Sequence, residues 1–220
     1  MPFNPQRPLL YLITSGETTL QTTPATKDFS NILKLVEVAV GSGVDLLQIR
    51  EKKLSANVLY KLSARAAEIT RGSATKLVIN DRSDVAASAR ADGVHLTSHS
   101  LPAHVVRRTF GPDFLIGVST HSMAEATAAR AGGADFAVFG PVFETQSKRQ
   151  YGEPLGPAEL AKVAAELSPF PVIALGGLTS VNVAECIRAG AQGVAAIRMF
   201  SDPVQLDRVV NEVRENFEKR

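Results

Sequence analysis

Gly41-Ser42-Gly43-Val44-Asp45-Leu46-Leu47-Gln48-Ile49-Arg50-Glu51-Lys52 carries, in twelve residues, the unit that the rest of the chain repeats. Small residues and glycine close a helix and turn the chain tightly into the next strand. The segment Leu46–Arg50 is of strand length, mostly apolar, and ends on polar side chains. In a strand, residues i, i+2 and i+4 share a face. Gln48, Arg50 and, if the strand runs on, Lys52 therefore point one way. An amide, a guanidinium and an ammonium converging there suit the oxygens of a polyphosphate. The same residues also read as an ordinary charged strand end, with Glu51 pairing with a cation in water.

The helix-to-strand joint recurs at Ala91-Asp92-Gly93-Val94, Ala131-Gly132-Gly133-Ala134-Asp135 and Ala189-Gly190-Ala191-Gln192-Gly193-Val194. Strands are expected at Leu9–Thr14, Leu46–Arg50, Lys76–Asn80, Gly93–Leu96, Leu115–Ser119, Phe136–Phe139, Val172–Leu175 and Gly193–Ile197. Their near-continuous apolar character suits parallel strands covered on both faces. Helical stretches fill the intervals. Ser55 caps one that runs toward Arg71 and closes at Gly72; Ser122-x-x-Glu125 is a capping box for one that stops at Gly132-Gly133. Pro157 and Pro203 open two more. Eight strand–helix units point to a (β/α)8 barrel or a doubly wound sheet, and the lack of spare helices favours the barrel. The expectation is an α/β, single-domain TIM barrel over residues 9–220 behind a disordered tail of residues 1–8. The polar stretch Ser15 to Lys27 is a candidate lid over the mouth.

Composition narrows the function. Apolar residues make up 45% of the chain, ample for one core. The formal net charge is only +2 and no extended basic block occurs, which argues against nucleic acid as a partner. No apolar run approaches the ~18 residues of a membrane span, which argues against a membrane. The first residues have no apolar signal core. A single cysteine, Cys186, excludes an internal disulfide framework and fits a reducing compartment; it reads as a buried, inert thiol in a cytoplasmic protein. Homo-oligomerisation stays open at this point.

In such a barrel, chemistry sits where strands end and βα loops begin. Asn80-Asp81 ends the third strand: a lone carboxylate beside an amide suits Mg2+, which takes few carboxylates plus waters and substrate phosphates, or caps the following helix. Ser119-Thr120-His121 ends the fifth, where His121 is placed as a general acid or base or as a histidine bound near the cap at Ser122. His95 lies inside a strand and reads as a satisfied core histidine; His99 and His104 read as rim and surface. After the sixth strand, Thr145, Gln146, Ser147 and Lys148 suit a phosphate clamp or a solvated loop. Gly176-Gly177 after the seventh strand and Ile197-Arg198 after the eighth suit the phosphate cradle common at that place in barrels. Two anion sites thus face one another, as in an enzyme joining or isomerising phosphorylated small molecules.

With these residues in place, the chain from Leu9 to about Phe200 resembles the thiamin phosphate synthase family, which includes the thiazole tautomerases. Gln48-Ile49-Arg50-Glu51-Lys52 resembles the family's Q-x-R-E-K at the pyrophosphate and pyrimidine site, and Asn80-Asp81 its N-D, whose Asp holds Mg2+. Gly117-Val118-Ser119 resembles G-x-S at the pyrimidine site, and Thr145-Gln146-Ser147-Lys148 resembles T-x-T-K. Gly177 stands at the phosphate-binding glycine and Ile197-Arg198 at the last phosphate contact. The resemblance implies a transferase that joins hydroxymethylpyrimidine diphosphate to a thiazole phosphate and releases pyrophosphate. Its implied cofactor is Mg2+ and its implied catalytic residues are Arg50, Lys52, His121 and Lys148.

Three positions depart from the synthase pattern. Ser100 stands where synthases carry a second acidic metal ligand, Arg198 where they commonly carry Ser, and Glu144 where they favour Pro. The alternatives are a metal-free thiazole tautomerase with His121 as proton shuttle, or a non-catalytic phosphate-ligand sensor. Retention of Arg50, Lys52 and Asp81 favours a diphosphate substrate and hence the synthase.

Overall fold

The structure, a computed structural model, describes residues 7–145 and 153–218. Strands and helices alternate along it: β1 (Leu9–Ile13), α1 (Lys27–Gly41), β2 (Leu46–Ile49), α2 (Ala56–Thr70), β3 (Lys76–Asn80), α3 (Ser83–Ser88), β4 (Gly93–Leu96) and α4 (Ala103–Phe110). The second half repeats the alternation with β5 (Leu115–Thr120), α5 (Met123–Ala131), β6 (Phe136–Phe139), α6 (Gly156–Leu167), β7 (Val172–Leu175), α7 (Val183–Arg188), β8 (Gly193–Ala196) and α8 (Leu206–Glu218). Each strand pairs in parallel with the next and β8 returns to β1, closing an eight-stranded barrel. All eight expected strands are present, with ends displaced by at most one residue.

Successive side chains of a strand face opposite sides, so each strand serves two cores. Leu9, Tyr11, Ile13, Leu46, Val78, Phe136, Val138, Ile173 and Ala195 fill the barrel interior. Leu10, Leu12, Leu47, Ile49, Leu77, Ile79, Phe139 and Val194 lie in the layer under the helices. Ile49, expected among the substrate-binding residues, therefore faces away from the mouth. Helices cover this outer layer with stripes at helical spacing, such as Phe29, Leu35, Val36 and Ala39 of α1.

The four repeated joints each do the same job at the N-terminal end of the barrel. Asp45, Asp92, Asp135 and Gln192 precede β2, β4, β6 and β8, and each side chain accepts from a backbone N–H of the preceding strand. The acceptor distances are 2.7 Å from Leu10, 2.8 Å from Leu77, 2.7 Å from Ile116 and 2.8 Å from Val172. The three carboxylates are neutralised by Arg7 and Arg214, by Lys76 and by Arg107, while the amide of Gln192 needs no counter-charge. Arg107 also donates to the carbonyls of Gly111, Pro112, Phe114 and Gly133, tying α4 to the entry of β5.

Helix ends follow their caps in part. Ser55 accepts from Val58 N at the start of α2, and Ser122 from Glu125 N at the start of α5. The Glu125 carboxylate, however, accepts from His121 N at 2.6 Å rather than from Ser122 N. Neither Asn80 nor Asp81 caps α3, whose cap position is Arg82. Pro203 does not open α8: Asp202 accepts from Val204 N and from Gln205 N, forming a turn, and the helix starts at Leu206. At the other terminus, Arg7 pairs with Asp45 and Arg214 donates to Pro8 O; residues 1–6 lie outside the described residues.

Candidate functional site

A closed parallel barrel brings the C-terminal ends of all eight strands to one mouth. The stretch after β2 departs most from its expectation. The strand stops at Ile49, so the two-residue alternation does not extend to Lys52, which lies exposed on a turn. Arg50 ends the row that Gln48 begins, and its N–H donates to Thr14 Oγ1 at 2.9 Å. Glu51 pairs with neither cation. It is buried, and it accepts from Gly16 N, Thr18 N and Thr18 Oγ1 at 3.2, 3.3 and 2.7 Å. Expected as a substrate contact, Glu51 instead anchors the loop between β1 and α1.

That loop, the candidate lid, is anchored to Glu51 at one end and to α1 at the other. Thr18 and Thr22 are buried, and Thr22 Oγ1 donates to Asp28 in the first turn of α1. This bond, with one from Thr26, holds the Asp28 carboxyl below its ordinary range. Gly16, at φ +77°, lies where a Cβ would be 3.1 Å from Arg50 O and 3.3 Å from a guanidinium nitrogen of Arg50. The loop thus packs against the arginine that it helps to place.

Beneath the mouth runs a chain of hydrogen bonds across the barrel interior. Gln48 Nε2 donates to Tyr11 Oη at 2.6 Å, Tyr11 Oη lies 3.1 Å from His95 Nδ1, and His95 Nε2 lies 2.9 Å from Ser119 Oγ. His95 is a satisfied interior histidine. Burial, reinforced by the charge of Arg50, pushes it down to about 3 from 6.5, so the ring is neutral. Burial raises the Tyr11 phenol above its ordinary range, partly offset by the Gln48 bond. Phe136 underlies the chain, with its ring centroid 5.8 Å from that of Tyr11 and 6.1 Å from that of His95. Gly117 makes the room: a Cβ there would lie 2.3 Å from the Phe136 ring. Sequence reasoning missed Tyr11, whose only signal is its inward register between Leu9 and Ile13.

Asn80 ends β3, two residues above inward-facing Val78, and Asp81 follows it, exposed, with φ +62° and its N–H on His95 O. Among the described residues, no three His, Cys, Asp or Glu side chains gather into an all-protein metal cage. A single carboxylate completed by substrate phosphates and water is a donor set that suits Mg2+. Ser100 is engaged elsewhere: its Oγ accepts from Thr97 N at 2.7 Å and lies 3.2 Å from Thr97 Oγ1, closing a turn after β4. His99 and His104 are exposed, as expected.

Across the mouth, the loops after β5, β6 and β7 interlock. His121 Nδ1 bonds Gly140 O. A carbonyl only accepts, so Nδ1 carries the proton, and in the neutral ring Nε2 is the free base. Val142 N donates to Leu175 O at 2.8 Å and Phe143 N to Gly176 O at 3.0 Å. Gly176 and Gly177 have φ +104° and +62°; a Cβ would approach Pro141 Cα to 2.6 Å and Glu144 O to 2.4 Å respectively. Only glycine lets these two loops meet. Asn182, which the sequence did not single out, clamps the second loop by donating to Gly177 O at 3.0 Å and accepting from Thr179 N at 2.8 Å. Ile197 packs on the interior cluster, and Arg198 is exposed at the start of a short 3-10 turn, Arg198–Phe200. Thr145 and Glu144 lie on the β6 loop; Gln146, Ser147 and Lys148 lie outside the described residues.

Arg82, directly after Asp81, pairs with Asp84. Arg7, Lys76, Arg107 and Arg214, at the N-terminal end, are all ion-paired. Among the described residues, Arg50, Lys52 and Arg198, at the mouth, pair with no carboxylate. Cys186 is buried in α7, its thiol pushed up to about 12 mainly by burial, and it takes no part.

The chain matches the family model described as thiamine monophosphate synthase over residues 10–200. It is 43% identical over 163 residues to the thiamine-phosphate synthase of Methanoculleus marisnigri, covering 74% of this chain and 77% of that protein. With the thiamine-phosphate synthase of Chlorobium luteolum it shares 38% identity over 194 residues, 88% of this chain and 85% of the relative. Among solved structures, it superposes on a thiamine phosphate pyrophosphorylase from Pyrococcus furiosus with a TM-score of 0.79 and 27% identity, covering 98% of each chain. The barrel, the order of its mouth residues and these similarities converge: the chain belongs to the thiamine monophosphate synthase family.

Proposed function

We propose that the protein is a thiamine-phosphate synthase that joins hydroxymethylpyrimidine diphosphate to a thiazole phosphate and releases pyrophosphate. The observation that carries this reading is that Arg50, Lys52 and Arg198, at the mouth of a barrel of this family, pair with no carboxylate among the described residues. Arg50 and Lys52 would hold the diphosphate, with Lys148 as a third cation, and charge-assisted bonds of this kind are about twice as strong as neutral ones. As the bond from the pyrimidine methylene carbon to the diphosphate oxygen breaks, its electron pair goes to the leaving pyrophosphate, and these cations stabilise the growing charge. The thiazole nitrogen then donates its lone pair to that carbon. The cradle of Gly176, Gly177 and Arg198 would hold the thiazole phosphate so that the nitrogen lies close to its target. Asp81 is the carboxylate that would hold Mg2+, which when bound neutralises diphosphate charge and promotes departure of the leaving group.

The single cysteine, and the absence of any described helix long and apolar enough to cross a membrane, support a cytoplasmic setting for these small phosphorylated substrates. The free Nε2 of His121 would equally serve the proton shuttle of a tautomerase, which needs neither Asp81 nor a diphosphate. A coupling assay separates the two. Thiamin phosphate should form in the presence of Mg2+, and Lys52→Ala and Asp81→Ala should each abolish it while leaving the thermal transition in place. Isomerisation of a thiazole phosphate without coupling, unchanged by either substitution, would transfer the function to the tautomerase reading.

A further inference from the structure

The hydrogen-bond chain beneath the mouth has a direction. The Tyr11 hydroxyl has one proton to give. Its oxygen already accepts from the Gln48 amide, and the other polar group beside it is His95 Nδ1. The phenol proton therefore goes to Nδ1, which must be unprotonated. An imidazole whose Nδ1 accepts carries its proton on Nε2, which donates it to Ser119 Oγ, 2.9 Å away. Ser119 Oγ is then an acceptor from below, and its own proton is left for whatever occupies the mouth above it. Reversing the Gln48 amide would reverse every bond in the chain and turn Ser119 into an acceptor toward the mouth, so the direction is a single property of the whole chain.

We infer that Tyr11 and His95 are positioning residues that turn the Ser119 hydroxyl proton toward the mouth, which favours a bound ring that presents an acceptor there, such as a pyrimidine nitrogen. This deepens the synthase reading and rests on it for the identity of the ring; the polarity itself does not. Both residues are buried beneath Ser119 and act through it. Burial in the interior, with Phe136 packed on both rings, keeps water from competing for any bond in the chain.

The polarity is read directly by nitrogen-15 NMR of the wild-type protein labelled at its histidines, with His95→Gln supplying the assignment. The expected result is a neutral His95 protonated on Nε2. A proton on Nδ1 would overturn the inference, whatever the enzyme's activity. The consequence for the ligand is read by calorimetric titration with hydroxymethylpyrimidine diphosphate, which needs no turnover. Tyr11→Phe, nearly isosteric, should weaken binding about tenfold, and Ser119→Ala should do the same. Because Tyr11 acts through Ser119, the double variant should bind no more weakly than Ser119→Ala alone, and affinity for the thiazole phosphate should not change. Multiplying losses in the double variant would mean that Tyr11 acts only through packing and would overturn the relay. Absence of coupling activity together with the Nε2 tautomer would instead remove the synthase reading and leave the relay intact.

Discussion

Glu51 lies between two cations in the chain, Arg50 and Lys52, and bonds to neither. Its carboxylate is surrounded by donors from Gly16 and Thr18, and a buried acceptor of this kind is costly to remove, because the donors that it satisfied stay buried. Glu51→Gln places an amide NH2 against at least one of those N–H groups. It is expected to lower stability by about 1–3 kcal/mol and to raise KM for the diphosphate through displacement of Gly16 from Arg50, with KM for the thiazole phosphate unchanged. Urea denaturation and steady-state kinetics with each substrate varied would check both parts. Direct substrate binding by Glu51 would instead leave stability unaltered. The example shows why a motif's members differ in role: adjacent residues in one five-residue run face the barrel interior, the helices and the loop.

At the level of secondary-structure elements, the loops after β6 and β7 and the joints at the opposite end make contrasting predictions. Gly177 has a positive φ and no space for a methyl group beside Glu144 O. Gly177→Ala is expected to push the two loops apart and weaken thiazole phosphate binding by tenfold or more in titration, about 1.4 kcal/mol. The far-ultraviolet circular dichroism of the barrel should not change. Asp135 belongs to the other end, where it accepts from Ile116 N and pairs with Arg107. Asp135→Ala strands both partners and is expected to cost about 2–3 kcal/mol in urea denaturation while leaving the KM of both substrates at wild-type values. A change in KM without loss of stability would mean that the two ends of the barrel are coupled. The same division is visible in the cations at the joints, which are neutralised by Asp45, Asp92 and Asp135.

Across the barrel as a unit, the buried His95 links protonation to stability. Its folded value is about 3 and its ordinary value 6.5, so between these pH values the unfolded chain binds a proton that the native state refuses. The stabilisation is present above pH 6.5 and is lost as pH falls toward 3, at a slope approaching about 1.4 kcal/mol per pH unit from this group. Urea denaturation followed across that window should show the decline in the wild type and a shallower one in His95→Gln; equal slopes would place His95 elsewhere than in the interior. Much of this molecule was legible in the chain. Parallel strands buried on both faces read as continuous apolar runs, which is why Lys76–Asn80 and Phe136–Phe139 are found at their expected bounds. The joints at Asp45, Asp92, Asp135 and Gln192 repeat because every second strand entry needs the same acceptor. The barrel and the set of polar residues at strand ends could therefore be read from the chain, since they depend on local periodicity and spacing, and the family from the motifs that resemble it. Folding in three dimensions was needed to turn Ile49 toward the helices, to set Glu51 on a loop and to bring Tyr11 to His95, 84 residues away. Such contacts depend on barrel closure and on where a strand stops, and no short-range pattern records either.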